Sequence, residues 1–397
     1  MTQVRLRGYL AGALAPALLA IAGPALAANL NFVPTAQISL PNSQQIISFD
    51  ISFVDPTVQL YFLADRTNKS VPVVQTSNNN FQVQLTANPP FVGATGNNDT
   101  SGPDGLITVK HQEVWVGDGN STIKVINLFN RQTTHVINTG GHNRADELCV
   151  DTRDNVVLMA NDAESPFPFV TFESTTTYAV TGKIVMDGTI NGGSVLATPK
   201  ATNGIEQCQW DQETGHFFIN IPEVNGPGDD SQPGAVVEIN PVTHAIVHQY
   251  TVPLASCAGP QGMAIGPSPQ ILLGCNATAN ANNPTAIINK FNGSTIATIN
   301  NQSGADEVWF NPGDGLYFLA RSSAVGATQQ LGIIDSATFA SNSVFTANKN
   351  LPRNAHSVAA DPNLNQVYVP IPAAVSTICG SLGGSDANGC IAVFTAQ

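Results

Sequence analysis

One hydrophobic pattern recurs seven times along the chain. A polar residue opens a short β-rich run, a turn rich in Asp, Asn, Gly or Pro follows, and a second, strongly apolar run closes the unit. The instances are Asp50-ISFVDPTVQLYFLA, Asp104-GLITVKHQEVWVG, Asp146-ELCVDTRDNVVLMA, Glu206-QCQWDQETGHFFIN, Gln261-GMAIGPSPQILLG, Asp306-EVWFNPGDGLYFLA and His356-SVAADPNLNQVYVP, with openings 42 to 60 residues apart. A third strand is readable after several units, as in Ser121-TIKVI, Ala235-VVEI, Thr285-AIINK and Leu331-GIID, and a fourth in Thr134-HVI and Thr295-IATI. No stretch beyond the first residues carries the 3.6-residue period of an amphipathic helix. Four short strands per unit at this spacing predict an all-β fold, a seven-bladed β-propeller with four-stranded blades. One such blade cannot bury its own faces, and stacking seven around an axis buries both. The chain ends in Cys390-IAVF, a third strand, so Leu30-NFV and Ala36-QISL near the start are expected to supply the outer strand of the last blade and close the ring.

Composition agrees with this pattern. Charged residues are 11% of the chain, with 34 Gly and 26 Pro, which is turn chemistry between short strands. Arg5 and Arg7, the apolar run from Tyr9 to Ile21 and the small-x-small tail Pro24-Ala25-Leu26-Ala27 read as a signal peptide cleaved after Ala27. Residues 28–397 then form a single propeller domain, periplasmic or secreted, with no stable membrane insertion and a monomer expected. All six cysteines follow that site, and an even number in an exported chain suggests disulfides. Cys379–Cys390 and Cys257–Cys275 are the expected pairs. Cys149 and Cys208 pair across neighbouring blades or stay as buried thiols. The formal charge is −13 with no basic stripe, so nucleic acid is not an expected partner.

The blade-level strings Ser121-TIKVINLFNRQT and Leu331-GIIDSAT resemble those of the YVTN-repeat (YncE-like) propellers of bacteria, and more loosely the NHL-repeat and gluconolactonase-like propellers. The strings Gly96-NNDTSGPDG, Arg144-ADELCVD and Ala355-HSVAADP are similar to those of exported bacterial propellers. The resemblance covers nearly all of the mature chain. It implies the fold and no single activity, because propellers host hydrolases, lyases, oxidoreductases and pure binding proteins. Gluconolactonase-like members hold a divalent ion near the axis, and no complete catalytic motif of theirs is reproduced here.

In a propeller the innermost strand of each blade starts at the top face, where the second strand ends. The seven opening residues therefore converge on one rim, and five are carboxylates. Asp50, Asp104, Asp146, Glu206 and Asp306 are the candidate ligands of a divalent cation, with Ca²⁺ the best match to an all-oxygen set. His356, the ring member that titrates near neutrality, and Glu307, the second acid of the Asp306-Glu307 doublet, are the candidate catalytic groups. Arg66, Asp118, Asp162 and Arg321, at second-strand ends, are candidate substrate contacts. Phe167 and Phe169, on one of several long top-face loops, are candidates for an apolar wall. The three tryptophans are read as blade-to-blade packing. A plainer account also generates the ring: an Asp at a strand start caps a turn by accepting backbone N–H bonds.

Two functions follow. The first is a cation site that binds a small molecule and hydrolyses it as a lactone or ester, the ion polarising a carbonyl or activating water. The second is a non-catalytic propeller that binds a ligand or an envelope protein. The sequence carries no G-x-S-x-G elbow, no phosphate loop and no C-x-x-C, and its other histidines are scattered, which excludes the corresponding hydrolase, nucleotide, thiol-redox and four-histidine metal chemistries.

Overall fold

A computed structural model describes residues 28–276, 284–322, 328–348 and 355–397. The signal segment and most of the loop after Asn276 lie outside the described residues. Seven four-stranded antiparallel sheets form the blades of a β-propeller. Their innermost strands, blades one to seven, are Ser52–Asp55, Leu106–Val109, Leu148–Asp151, Cys208–Asp211, Pro260–Ile265, Val308–Asn311 and Ala359–Asp361. Each pairs with the apolar run after its turn, as Ser52 with Leu63 and Val308 with Leu319. Seven apolar clusters rich in Val, Ile, Leu and Phe lie where blade faces meet.

The ring closes as the sequence predicts. Phe32–Ile38 is the outer strand of blade seven and runs antiparallel to Cys390–Ala396, from Phe32 opposite Ala396 to Ile38 opposite Ile391. The first described strand of the propeller is thereby hydrogen-bonded to its last, which ties both ends of the chain into one blade.

Two glycines set how closely neighbouring inner strands approach at the top. A Cβ on Gly105 would lie 1.8 Å from the carbonyl oxygen of Asp146, and one on Gly262 2.3 Å from that of Asp306. No other residue type allows that contact without a shift, and both glycines directly follow a rim position. Asn220 adds a cross-blade tie: its side-chain amide donates to the carbonyls of Gln261 and Gly262, each at 2.8 Å.

All six cysteines are paired: Cys149–Cys208, Cys257–Cys275 and Cys379–Cys390. The first joins the inner strands of blades three and four, which settles the alternative left open above. No helix among the described residues is long and apolar enough to cross a membrane.

Candidate functional site

A cavity of about 670 Å³ opens on the top face. Asp50, Asp146, Glu206, Gln261, Asp306 and His356 all line it, so six of the seven rim positions share one space. Asp104, the seventh, lies fully buried and bonded to Arg66. The plainer account of the ring does not hold for its first members. The hydrogen bonds to Asp50 come from the Arg66 and His356 side chains. Turn-capping falls to the other end of the inner strand, where Asp55, Asp151, Asp211, Asn311 and Asp361 accept backbone N–H groups of the turn.

The rim divides electrostatically into two halves. In blades one to three the opening acids are paired. Arg66 forks between Asp50 and Asp104, with Nε 2.9 Å from Asp104 Oδ1, and its Nη1 donates to Asn98 at 2.8 Å. Arg144 reaches Asp162 at 2.6 Å and Asp146 at 2.9 Å. Both guanidiniums are buried, and burial alone would discourage their charge. The surrounding carboxylates outweigh it and hold both pKa values above the ordinary arginine value. Asp50 is likewise opposed by burial, yet Arg66, His356 and Arg144 hold it well below the usual carboxylate range.

Pairing does not overcome burial at Asp104 and Asp146, which stay well above the ordinary carboxylate value. Among the described residues, Glu147 of blade three and Glu206, Asp306 and Glu307 of blades four to six lack an arginine or lysine ion-pair partner altogether. Burial, reinforced by the neighbouring carboxylates, pushes all four above their ordinary pKa values. Glu147 and Glu307, from blades on opposite sides of the axis, are hydrogen-bonded to one another. Two carboxyls can share such a bond only when one carries a proton.

Oxygens of Asp50, Asp104 and Asp146 lie within 4.8 Å of one another, near enough to hold a metal ion. Those carboxylates already bind guanidinium groups, so a cation among them would compete with Arg66 and Arg144. Glu206, Gln261 and Asp306, on three consecutive blades, present carboxyl and amide oxygens with no such competitor, and Glu147 and Glu307 stand beside them. Their oxygen chemistry is that of a hard divalent ion's ligands, but among the described residues only Asp50, Asp104 and Asp146 bring three carboxylate oxygens within 4.8 Å of one another.

His356 differs from its expected role. Its Nε2 lies 3.2 Å from Asp50 Oδ1, and its ring stacks on Phe49 at 4.8 Å. Burial opposes its charge, but the bond to Asp50 and the charges of Asp50 and Asp306 prevail and raise its pKa. The charged form of the ring is thereby favoured more than in a free imidazole, which weakens it as a proton acceptor.

Three expected substrate contacts lie outside the cavity wall. Asp118 is buried against Lys124, which also donates to the Pro90 carbonyl at 2.7 Å. Arg321 is buried, with Nε on the Ser303 carbonyl at 2.9 Å and Nη1 on Ser343 at 2.8 Å, and burial lowers its pKa to about 10. Asp162 stands behind Arg144 as its partner. Arg66 alone of the four lines the cavity. Phe167 and Phe169 do not line it either: Phe169 lies under Lys183, 3.2 Å from the ring centroid, and Phe167 faces Lys200. The wall instead takes Ile47, Ser48, Phe49, Asn98, Arg144 and Glu147. Arg144 was visible beside its rim position in the string Arg144-ADELCVD. Nothing in the sequence marks Asn98 or the 47–49 segment as cavity-lining.

No protein-family model matches the chain and no curated protein matches it, so the likeness to YVTN-repeat propellers rests on blade-level strings, while the seven-bladed fold itself is shown.

Proposed function

We propose that the top-face cavity binds a divalent cation, Ca²⁺ by its oxygen set, together with a small polar molecule. Glu206 and Asp306 are the principal cation ligands, aided by Gln261, Glu147 and Glu307, while Arg66 and Arg144 orient the molecule from the opposite wall. The observation that carries this reading is the split rim: among the described residues, Asp50, Asp104 and Asp146 are ion-paired with arginine, and Glu147, Glu206, Asp306 and Glu307 are not. Carboxyls crowded without an ion-pair partner are a standing electrostatic cost that a bound cation removes. The volume falls within the roughly 300–1,000 Å³ of small-molecule sites.

A cation held there would supply Lewis acidity toward a carbonyl or bound water, which keeps lactone or ester hydrolysis as the activity to assay. In that activity Glu307, held protonated by burial, serves as proton donor. Ligand binding without turnover, including binding of an envelope component, is the second reading. The engagement of His356 with Asp50 favours it, because that bond already occupies the Nε2 of the histidine. The three disulfides agree with export to an oxidising compartment.

Elemental analysis of purified protein before and after chelation tests the cation, and lactone and ester panels test turnover. Stoichiometric Ca²⁺ whose removal leaves the fold intact supports the site. Turnover that returns with the ion selects the hydrolase, and bound ion without turnover selects the binding module. Protein that neither retains nor takes up a divalent ion contradicts the proposal.

A further inference from the structure

Below the acidic cavity the channel holds a second chamber of about 250 Å³ with the opposite character. Its walls include Phe53, Val150, Trp210, Ile265, Trp309 and Phe310, all on innermost strands. Phe53 of blade one and Trp309 of blade six meet edge to face at 5.5 Å. Each of these six side chains is only half-buried, whereas Trp115, on a second strand, is completely enclosed. Two of the three tryptophans therefore do not serve purely as blade packing. They present solvated apolar surface inside a concavity, the arrangement that marks a ligand site.

The chamber is separated from the acidic cavity by polar groups that are already engaged. Glu147 lines both spaces and is bonded to Glu307. The Gln207 side chain crosses from blade four to accept from the Met263 N–H of blade five at 2.7 Å, and it also bonds Val308 of blade six. No lysine or arginine lines the chamber.

We propose that the lower chamber is a second binding site, for a small neutral aromatic molecule. Its volume admits a single substituted ring, since a cavity of about 150 Å³ with apolar walls already takes benzene, and it is too small for a segment of protein. The absence of an unengaged charge excludes ionic ligands, which would lose their hydration without compensation.

Acetophenone is a suitable probe, followed by ligand-observed NMR and calorimetry on the full mature chain. The expected dissociation constant is on the order of 0.1–1 mM for a molecule of about nine heavy atoms. Benzoate and benzylammonium, the charged analogues, should bind at least about tenfold more weakly. Ile265→Trp fills the chamber and should reduce acetophenone binding at least about tenfold, with Val150→Phe as a second filling variant should the first not fold. Binding should be equal with Ca²⁺ and with chelator, which separates this site from the one above. No binding at several millimolar, undiminished binding to a folded filling variant, or charged analogues binding as well would each overturn the proposal.

Discussion

The carboxyls of Glu147 in blade three and Glu307 in blade six interact with one another from opposite sides of the channel. Burial first, and the surrounding carboxylates second, raise both pKa values. The folded protein thus keeps a proton that the unfolded chain has released, and it loses stability as pH rises from the ordinary glutamate value of about 4.3 through the raised one. Glu307→Gln keeps a hydrogen bond and removes the titration. In chelator, denaturant unfolding should show this variant gaining about 1–3 kcal/mol on the parent between pH 5 and pH 8. A pH-independent difference would show that the pair holds no shared proton.

Arg66 carries the paired half of the rim. Replacing it with Met leaves Asp50 and Asp104 buried without their counter-charge. The expected loss is about 3–5 kcal/mol, the usual result of removing one partner of a buried ion pair. Asp104→Asn in the same chain should restore part of it. Urea titrations of the single and double variants measure both effects.

Gly105→Ala tests how the rim is brought together. The added methyl meets the Asp146 carbonyl oxygen, a backbone atom that cannot rotate away. Thermal unfolding should show a loss of at least about 2 kcal/mol. Gly96→Ala, where nothing stands within 4 Å of the new Cβ but φ is +87°, should cost only the backbone strain of that conformation, about 1 kcal/mol.

Deleting residues 29–41 removes the strand that joins the first and last parts of the chain. The whole disc should unfold at a lower temperature in one transition, with hydrogen-exchange protection lost in all blades together. Loss confined to blade seven would mean that closure does not couple the ring.

The repeat was legible because each inner strand and its partner carry a local pattern, and seven local patterns fix the fold once stacking is required. The rim was legible for the same reason: Asp50, Asp146, Glu206, Gln261, Asp306 and His356 occupy equivalent positions in their units and meet around one axis. What the pattern could not show is which charges face each other. Asp118 and Arg321 occupy second-strand ends as expected, yet Lys124 and the Ser303 carbonyl draw them into the blades. Arg144 and Asn98 sit on irregular segments with no repeat partner, so their entry into the cavity depends on loop conformation that no periodicity encodes. The upward pKa shift of His356 comes from Asp50, which is 306 residues away in sequence.

The central claim is that the unpaired acids of blades four to six bind a cation at the cost of their protons. Calorimetric titration of chelated protein with CaCl₂, at pH 6 and pH 8 and in two buffers of different ionisation enthalpy, tests it most directly. The account predicts one ion per chain, proton release on binding, tighter binding at pH 8, and loss of binding in Glu206→Gln/Asp306→Asn but not in the exposed-site control Asp229→Asn. Undetectable heat at millimolar Ca²⁺, or binding unchanged in the double variant, would contradict it.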